Sequence, residues 1–528
     1  MQMHTRSAGI LLHPVSLPSE DGIGDFGRDA FRFIDFLIES EIGIWQVLPL
    51  GPTAFGNSPY TAVSSFAGNP LLLSLDALRA EGWLKQEDLA GRPDFSPDFV
   101  DYEAVHAWKD PLLRKAAAEF LKDVSSAGSS ARGDFEEFCA KEEWWLEDYA
   151  LFVTAKHCFD AQAREEGAED ARWNYYWPEA LANREPGELQ RWSEEWQQEI
   201  AVEKALQFFF LQQWQRLKQY ANEHGVQLFG DIPIFVSPDS ADVWANPQLF
   251  KLDTHNRPTS VAGVPPDYFS ETGQRWGNPL YRWPEHKRTS FSWWISRIRK
   301  TLELVDMVRI DHFRGFEAYW EIPAKEPTAI NGKWVKAPGR QLFRKIAQEL
   351  GDLPIVAEDL GVITPEVQAL REEFGFPGMK VLQFAFDPDG RGGLKADNAF
   401  LPHNHGPNYV AYTGTHDNDT TLGWFRSRDP QLQELIRRYA GSSGQDIVWD
   451  LMRTVFMSPA RYAIVPFQDP LALGADARMN TPGTVGSNWS WRVRGEAFNG
   501  SVSSRLRDFC RLYGRGAMTT PSGSVSLA

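Results

Sequence analysis

Three short apolar runs in this chain end in carboxylic acids, the side chains that supply nucleophilic and general acid/base chemistry near neutral pH. In Val308-Arg309-Ile310-Asp311-His312-Phe313 a strand's period of two puts Arg309 and Asp311 on one face and Val308 and Ile310 on the other. An inward Arg two residues before an inward Asp supplies the positive charge that suits a carboxylate acting as a nucleophile. Asp311 is the expected nucleophile; a purely structural Arg–Asp pair is the competing reading. Ile355-Val356-Ala357-Glu358-Asp359-Leu360-Gly361 ends in two acids. Apolar neighbours let a carboxyl keep its proton towards neutral pH, which makes Glu358 the expected general acid/base, while Asp359 organises the turn.

The third run, Ala411-Tyr412-Thr413-Gly414-Thr415-His416-Asp417-Asn418-Asp419, closes in a dense polar cluster. His416 can donate to a hydroxyl, and Asp417 can face positive charge as it develops. Asp231, Asp311, His312, Glu358, His416 and Asp417 also form a candidate cation set. Paired His ligands such as H-x-H or H-E-x-x-H are lacking, so no metal and no cofactor is expected.

These acids need elements to carry them. Eight runs rich in β-branched and aromatic residues (9–13, 44–49, 226–231, 307–311, 354–359, 380–386, 409–416 and 462–468) alternate with amphipathic helical patterns. Examples are Ala30, Phe33, Ile34 and Leu37, and Phe210, Trp214, Leu217 and Ala221 with Gly225 as a stop. Strand-helix alternation with polar strand ends predicts a (β/α)8 TIM barrel, and no Gly-rich phosphate loop supports an open nucleotide-binding sheet. Large, mainly helical insertions are expected around its C-terminal mouth. Residues 1–70 carry strands 1 and 2, 71–202 a mainly helical insert, 203–231 a barrel helix with strand 3, and 232–303 a loop-rich insert. Residues 304–513 carry strands 4–8, and 514–528 form a Gly/Ser/Thr-rich tail expected to be disordered.

Bulk composition narrows the function classes. A net charge of -17 with no basic stripe argues against nucleic acid. The apolar content of 42% and charged content of 24% are those of a soluble globular protein. Cys139, Cys158 and Cys510 lie far apart and suit a reducing compartment, and neither a signal-peptide stretch nor a membrane span is seen, so the cytoplasm is expected. The 21 Trp residues either fill a core or stack on sugar rings.

At its motifs the chain resembles the amylomaltase family of 4-α-glucanotransferases over nearly its full length. The resemblance rests on Gly9-Ile10-Leu11-Leu12-His13-Pro14, Gly22-Ile23-Gly24-Asp25, Gly56-Asn57-Ser58-Pro59-Tyr60 and Gly230-Asp231-Ile232-Pro233-Ile234. It continues through Gly263-Val264-Pro265-Pro266-Asp267-Tyr268-Phe269-Ser270, Gly273-Gln274-Arg275-Trp276-Gly277-Asn278-Pro279, the three acid motifs and Arg478-Met479-Asn480-Thr481-Pro482-Gly483-Thr484. It implies Asp311 as nucleophile, Glu358 as acid/base and Asp417 as transition-state stabiliser, helped by Arg309 and His416. It further implies a loop (263–279) over the substrate, and contacts from Tyr268, Phe269, Gln274, Trp276, Tyr60, Ser58, Asp231 and Asn480. The implied substrates are α-1,4-glucans and maltooligosaccharides, as donor and acceptor in a retaining double displacement. An α-amylase-like hydrolase with the same acids, or a non-catalytic glucan-binding scaffold, are the alternatives.

Overall fold

Apolar runs of four or five residues become strands only where partners stand on both sides. A computed structural model describes residues 6–516 apart from 127, 268, 269 and 485. In it eight runs pair in parallel: β1 (Ser7–Leu11), β2 (Ile44–Gln46), β3 (Gln227–Pro233), β4 (Met307–Asp311), β5 (Ile355–Ala357), β6 (Gly378–Val381), β7 (Tyr409–Tyr412) and β8 (Tyr462–Pro466). The hydrogen-bonded order runs β6, β7, β8, β1, β2, β3, β4, β5. The Ala357 N–H closes the remaining seam by donating to the Pro377 carbonyl at 2.9 Å, and the Met379 N–H donates to the Asp359 carboxylate across it at 2.7 Å. The sheet is thus the closed barrel of a (β/α)8 fold.

The strands differ in their bounds from the sequence reading. At β6 the pairing ends at Val381, because Leu382–Phe384 turns into a 3-10 helix. At β7 pairing ends at Tyr412, so the residues from Thr413 to Asp417 hang over the mouth as a loop. Val308 and Ile310 are wholly buried, while alternate positions turn towards the axis. There Tyr412 donates its hydroxyl to Gln46 Oε1 at 3.0 Å, and Arg309 reaches Asp231 and Met379. Helix 28–39 lays Phe33 against Trp45, ring centroids 5.1 Å apart. The helix Gln197–Glu223 stops where Gly225 takes φ 79°, a conformation costly for a β-carbon.

Between β2 and β3 the helices Tyr102–Ser125, Arg132–Glu166 and Gln197–Glu223 pack together, with Phe120 edge-on to Phe209 at 5.0 Å. A buried Lys300–Glu142 ion pair at 2.6 Å ties this insert to helix Ser292–Leu304. A second, four-stranded antiparallel sheet (274–279, 260–264, 318–323, 333–336) rises beside the mouth. The sequence reading contains no such sheet; its strands flank β4 in the chain, 260–264 and 274–279 before it and 318–323 and 333–336 after it. Trp45, Trp173, Trp214, Trp244 and Trp294 are core residues, which answers part of the tryptophan question. Among the described residues no helix is long and apolar enough to cross a membrane.

The stretch 514–516, which composition assigns to a disordered tail, is held in place. Arg515 is fully buried and donates to the carbonyls of Phe456 (2.6 Å), Ser458 (2.9 Å), Ala460 (2.9 Å), Ser7 and Arg461 (both 3.3 Å). Residues 517–528 lie outside the described residues. Because each orphaned buried acceptor costs about 1–3 kcal/mol, Arg515→Met should destabilise the protein by about 3 kcal/mol, and Arg515→Lys by less. A thermal midpoint unchanged in Arg515→Met would refute this.

Candidate active site

The polar cluster at the C-terminal ends of the strands is organised by Arg309. Two positions beyond Met307 on β4, its side chain turns inward, where an isolated charge would be prohibitively costly. Its Nη1 donates to Asp231 Oδ2 at 2.7 Å, its Nη2 to Asp311 Oδ1 at 2.6 Å, and its Nε to Met379 Sδ at 3.4 Å. Burial by itself would lower the guanidinium's pKa, but Asp231 and Asp311 raise it well above the ordinary value. Asp231 comes from β3, where the register pairs it with Arg309. Its Oδ2 also accepts from the Tyr60 hydroxyl at 2.9 Å. Burial pushes the Asp231 carboxyl up to about 7 against the pull of Arg309. Two donors at hydrogen-bond length on one oxygen favour the ionised form, and that geometry decides its state here.

Glu358 stands one ladder step beyond β5. Ile310 pairs with Ala357, and the ladder continues as the Glu358 N–H donates to the Ile310 carbonyl at 3.1 Å and the Phe313 N–H to the Glu358 carbonyl at 3.2 Å. Asp311 and Glu358 are therefore register neighbours. Glu358 Oε1 accepts the Leu360 N–H at 2.9 Å and Oε2 the His312 N–H at 2.8 Å. Burial, with the charge of Asp311 added, pushes the Glu358 carboxyl up to about 8 despite Arg309. Asp359 turns away towards the β5–β6 seam.

Asp417 stands on the loop after β7 with its side chain half exposed. Asn480 Nδ2 donates to its Oδ1 at 2.7 Å, and Arg478 Nη2 to its backbone carbonyl at 2.6 Å. His416 Nε2 lies 3.5 Å from Asp417 Oδ2; burial lowers this imidazole's pKa, with Asp417 opposing. Tyr60 stacks on the His416 ring at 5.0 Å and 21°, so one tyrosine spans from Asp231 to His416. The Ser58 hydroxyl accepts the Tyr60 N–H at 3.3 Å and shapes the turn that presents it. Among the described residues no group of three or more His, Cys, Asp or Glu is arranged to hold a metal ion.

A cleft of about 470 Å³ joins Ser58, Tyr60, Trp276, Asp311 and Asn480. Trp276, 39% exposed, donates its Nε1–H to Gln274 Oε1 at 3.1 Å and sets its ring edge to face with His312 at 4.8 Å. Tyr268 and Phe269, assigned to the covering loop on resemblance, lie outside the described residues. Several lining residues escape the sequence reading as cleft walls, His312, Asn278 and Trp489 among them. Trp489 packs 5.9 Å from both Tyr60 and His416, and nothing in its local sequence marks it.

Comparison with known proteins shows the family of the chain. Residues 12–497 match the family model described as 4-alpha-glucanotransferase. A 4-alpha-glucanotransferase of a Synechocystis strain is 50% identical over 97% of this chain and 98% of its own length. One from Thermus thermophilus is 50% identical over 95% and 97%. In structure, an amylomaltase from Streptococcus agalactiae solved with acarbose superposes with TM-score 0.90 at 39% identity, covering 97% of this chain and all of that one.

Breaking a buried ion pair from one side leaves an uncompensated charge, at a cost of about 3–5 kcal/mol. Arg309→Leu should therefore lower stability by that amount, and adding Asp231→Asn should recover part of it. Urea unfolding followed by circular dichroism measures both. A double variant no more stable than the single one would contradict the charge-pair account.

Proposed function

The chain belongs to the 4-alpha-glucanotransferase family, and from that premise we propose that it moves α-1,4-glucan segments between maltooligosaccharides by retaining double displacement, with Asp311, Glu358 and Asp417 as its catalytic groups. The observation that carries this reading is the register of Asp311 beside Glu358. Neighbouring strands lie about 4.8 Å apart, and retaining enzymes hold their two carboxyl groups about 5–5.5 Å apart.

Asp311 attacks the anomeric carbon while Glu358 gives its proton to the departing glycosidic oxygen, releasing the reducing-end fragment. The 4-hydroxyl of an acceptor glucan then attacks the glycosyl-enzyme. Glu358 takes the hydroxyl proton, a new α-1,4 bond forms and Asp311 is released. Arg309 fixes Asp311 through a charge-assisted bond. Asp417, oriented by Asn480, faces the ring as positive charge develops. His416, deprotonated through burial, serves a substrate hydroxyl, and Trp276 and Tyr60 offer ring faces to sugars. Transfer exceeds hydrolysis where such a walled cleft positions a glucan better than it admits water. The unpaired cysteines suit a cytoplasmic setting.

Incubation with maltotriose tests the reaction. Wild type should yield glucose and longer oligosaccharides with no net gain of reducing ends, and Asp311→Asn should cut the rate on the order of 10³-fold or more. Steadily rising reducing ends would make the enzyme a hydrolase, and an active Asp311→Asn would remove the nucleophile. Because the acid form of Glu358 is needed and is lost as pH rises through about 8, the alkaline limb of kcat/KM should fall near there, and Glu358→Gln should abolish it. A limb at the pH of an ordinary carboxylate would oppose the assignment.

A further inference from the structure

His312 holds a backbone conformation its residue type disfavours, with φ 54° and ψ 45°. A β-carbon crowds the carbonyl that follows it in this region, so a residue other than Gly stays there only where its surroundings over-determine it. The surroundings do so from two sides. Along the backbone, the His312 N–H donates to Glu358 Oε2 at 2.8 Å, and the Gly315 N–H donates to the His312 carbonyl at 3.0 Å. At the side chain, the ring meets Trp276 edge to face at 4.8 Å and 87° and lies 6.3 Å from Phe235. Any β-carbon at Gly315 would stand 3.2 Å from His312 Cδ2, so the absent side chain there makes room for the ring. Burial lowers the imidazole's pKa to about 4, and its Nε2 has no hydrogen-bond partner among the described residues. The ring is therefore placed for packing and not for an ion pair.

We propose that His312 is a positioning residue that couples the seating of Trp276 at the cleft to the placement of the Glu358 carboxyl. The inference rests on the reading of Glu358 as acid/base. Among the described residues Trp276 has its indole N–H tied within its own strand, to Gln274, and leans on the ring of His312 across the cleft wall. A His312 Cα displaced together with its ring carries the attached N–H away from Oε2. Seating Trp276 and aiming that N–H are thus two ends of one constraint. A sugar that displaces or presses on the indole reaches the acid/base through a single residue. The charged groups facing Glu358 are Asp311 and Arg309 from β4 and Asp359 from its own loop. Among the described residues none of them is in ring contact with Trp276, whereas His312 touches both Trp276 and Glu358.

An N–H donor stabilises a carboxylate over the neutral acid. Losing it leaves Glu358 protonated to higher pH, so the alkaline limb of kcat/KM moves upward. His312→Ala should show this movement together with a fall in kcat of about 10²-fold, the cost of misplacing a catalytic group by about 1 Å. Trp276→Ala, at an exposed position where folding is not at risk, should move the limb in the same direction. His312→Phe, which keeps a ring against Trp276, should return the limb towards wild type. In the double variant His312→Ala with Trp276→Ala the limb should move no further than in the more affected single one. An unmoved limb in Trp276→Ala, or limb shifts in the two variants that simply add, would overturn the coupling. An alkaline limb that persists in Glu358→Gln would instead remove the acid/base assignment beneath it.

Discussion

A guanidinium cannot be left alone inside a barrel, and most of the site follows from that. Arg309 stands on β4, whose outward residues Val308 and Ile310 are wholly buried, and its charge is met by Asp231 on one side and Asp311 on the other. Placing it at the axis fixes three strands at once, because Asp231, Asp311 and Met379 each come from a different strand or strand end. The low local dielectric makes these bonds strong and makes their absence costly. Tyr60 then joins Asp231 to His416, and the same constraint reaches the loop that carries Asp417.

The walls of the cleft are built differently. They hang from strand ends and loops, Glu358 oriented by backbone donors and Asp417 by polar side chains. Glu358 is held by two N–H groups, from His312 and Leu360, and the loop of Asp417 is held by Arg478 and Asn480. Backbone donors have no rotamers to lose, so they position a carboxylate at little entropic cost. Preorganisation of this kind is what a transition state with developing charge demands.

How much of this was legible beforehand follows from range. The face shared by Arg309 and Asp311 and the stop at Gly225 are local properties of a strand and a helix end, and a sequence displays them directly. The barrel was legible because eight runs alternate with amphipathic helices, although the pairing ends at β6 and β7 were not, since they depend on where Leu382 and Thr413 bend away. The left-handed His312, the reach of Asn480 to Asp417 and the packing of Trp489 against Tyr60 depend on segments brought together by closure. The four-stranded sheet was hidden because its strands flank β4 in the chain and two of its three pairings join segments on either side of, or beyond, the barrel strand.

The clasp at Arg515 has a meaning for how the molecule is made. Ser7 pairs with Tyr462 across β1 and β8, and the Ala8 N–H donates to the Arg515 carbonyl, so the first strand waits for almost the last residues of the described chain. A ribosome adding about 5–20 residues per second keeps that strand's edge open for tens of seconds. No shorter nascent piece can close the ring, and contacts of such long sequence separation slow folding. An unpaired strand edge is a template for the wrong partner. The nascent chain of this barrel therefore lacks its β1–β8 seam until nearly all of the described residues have been made.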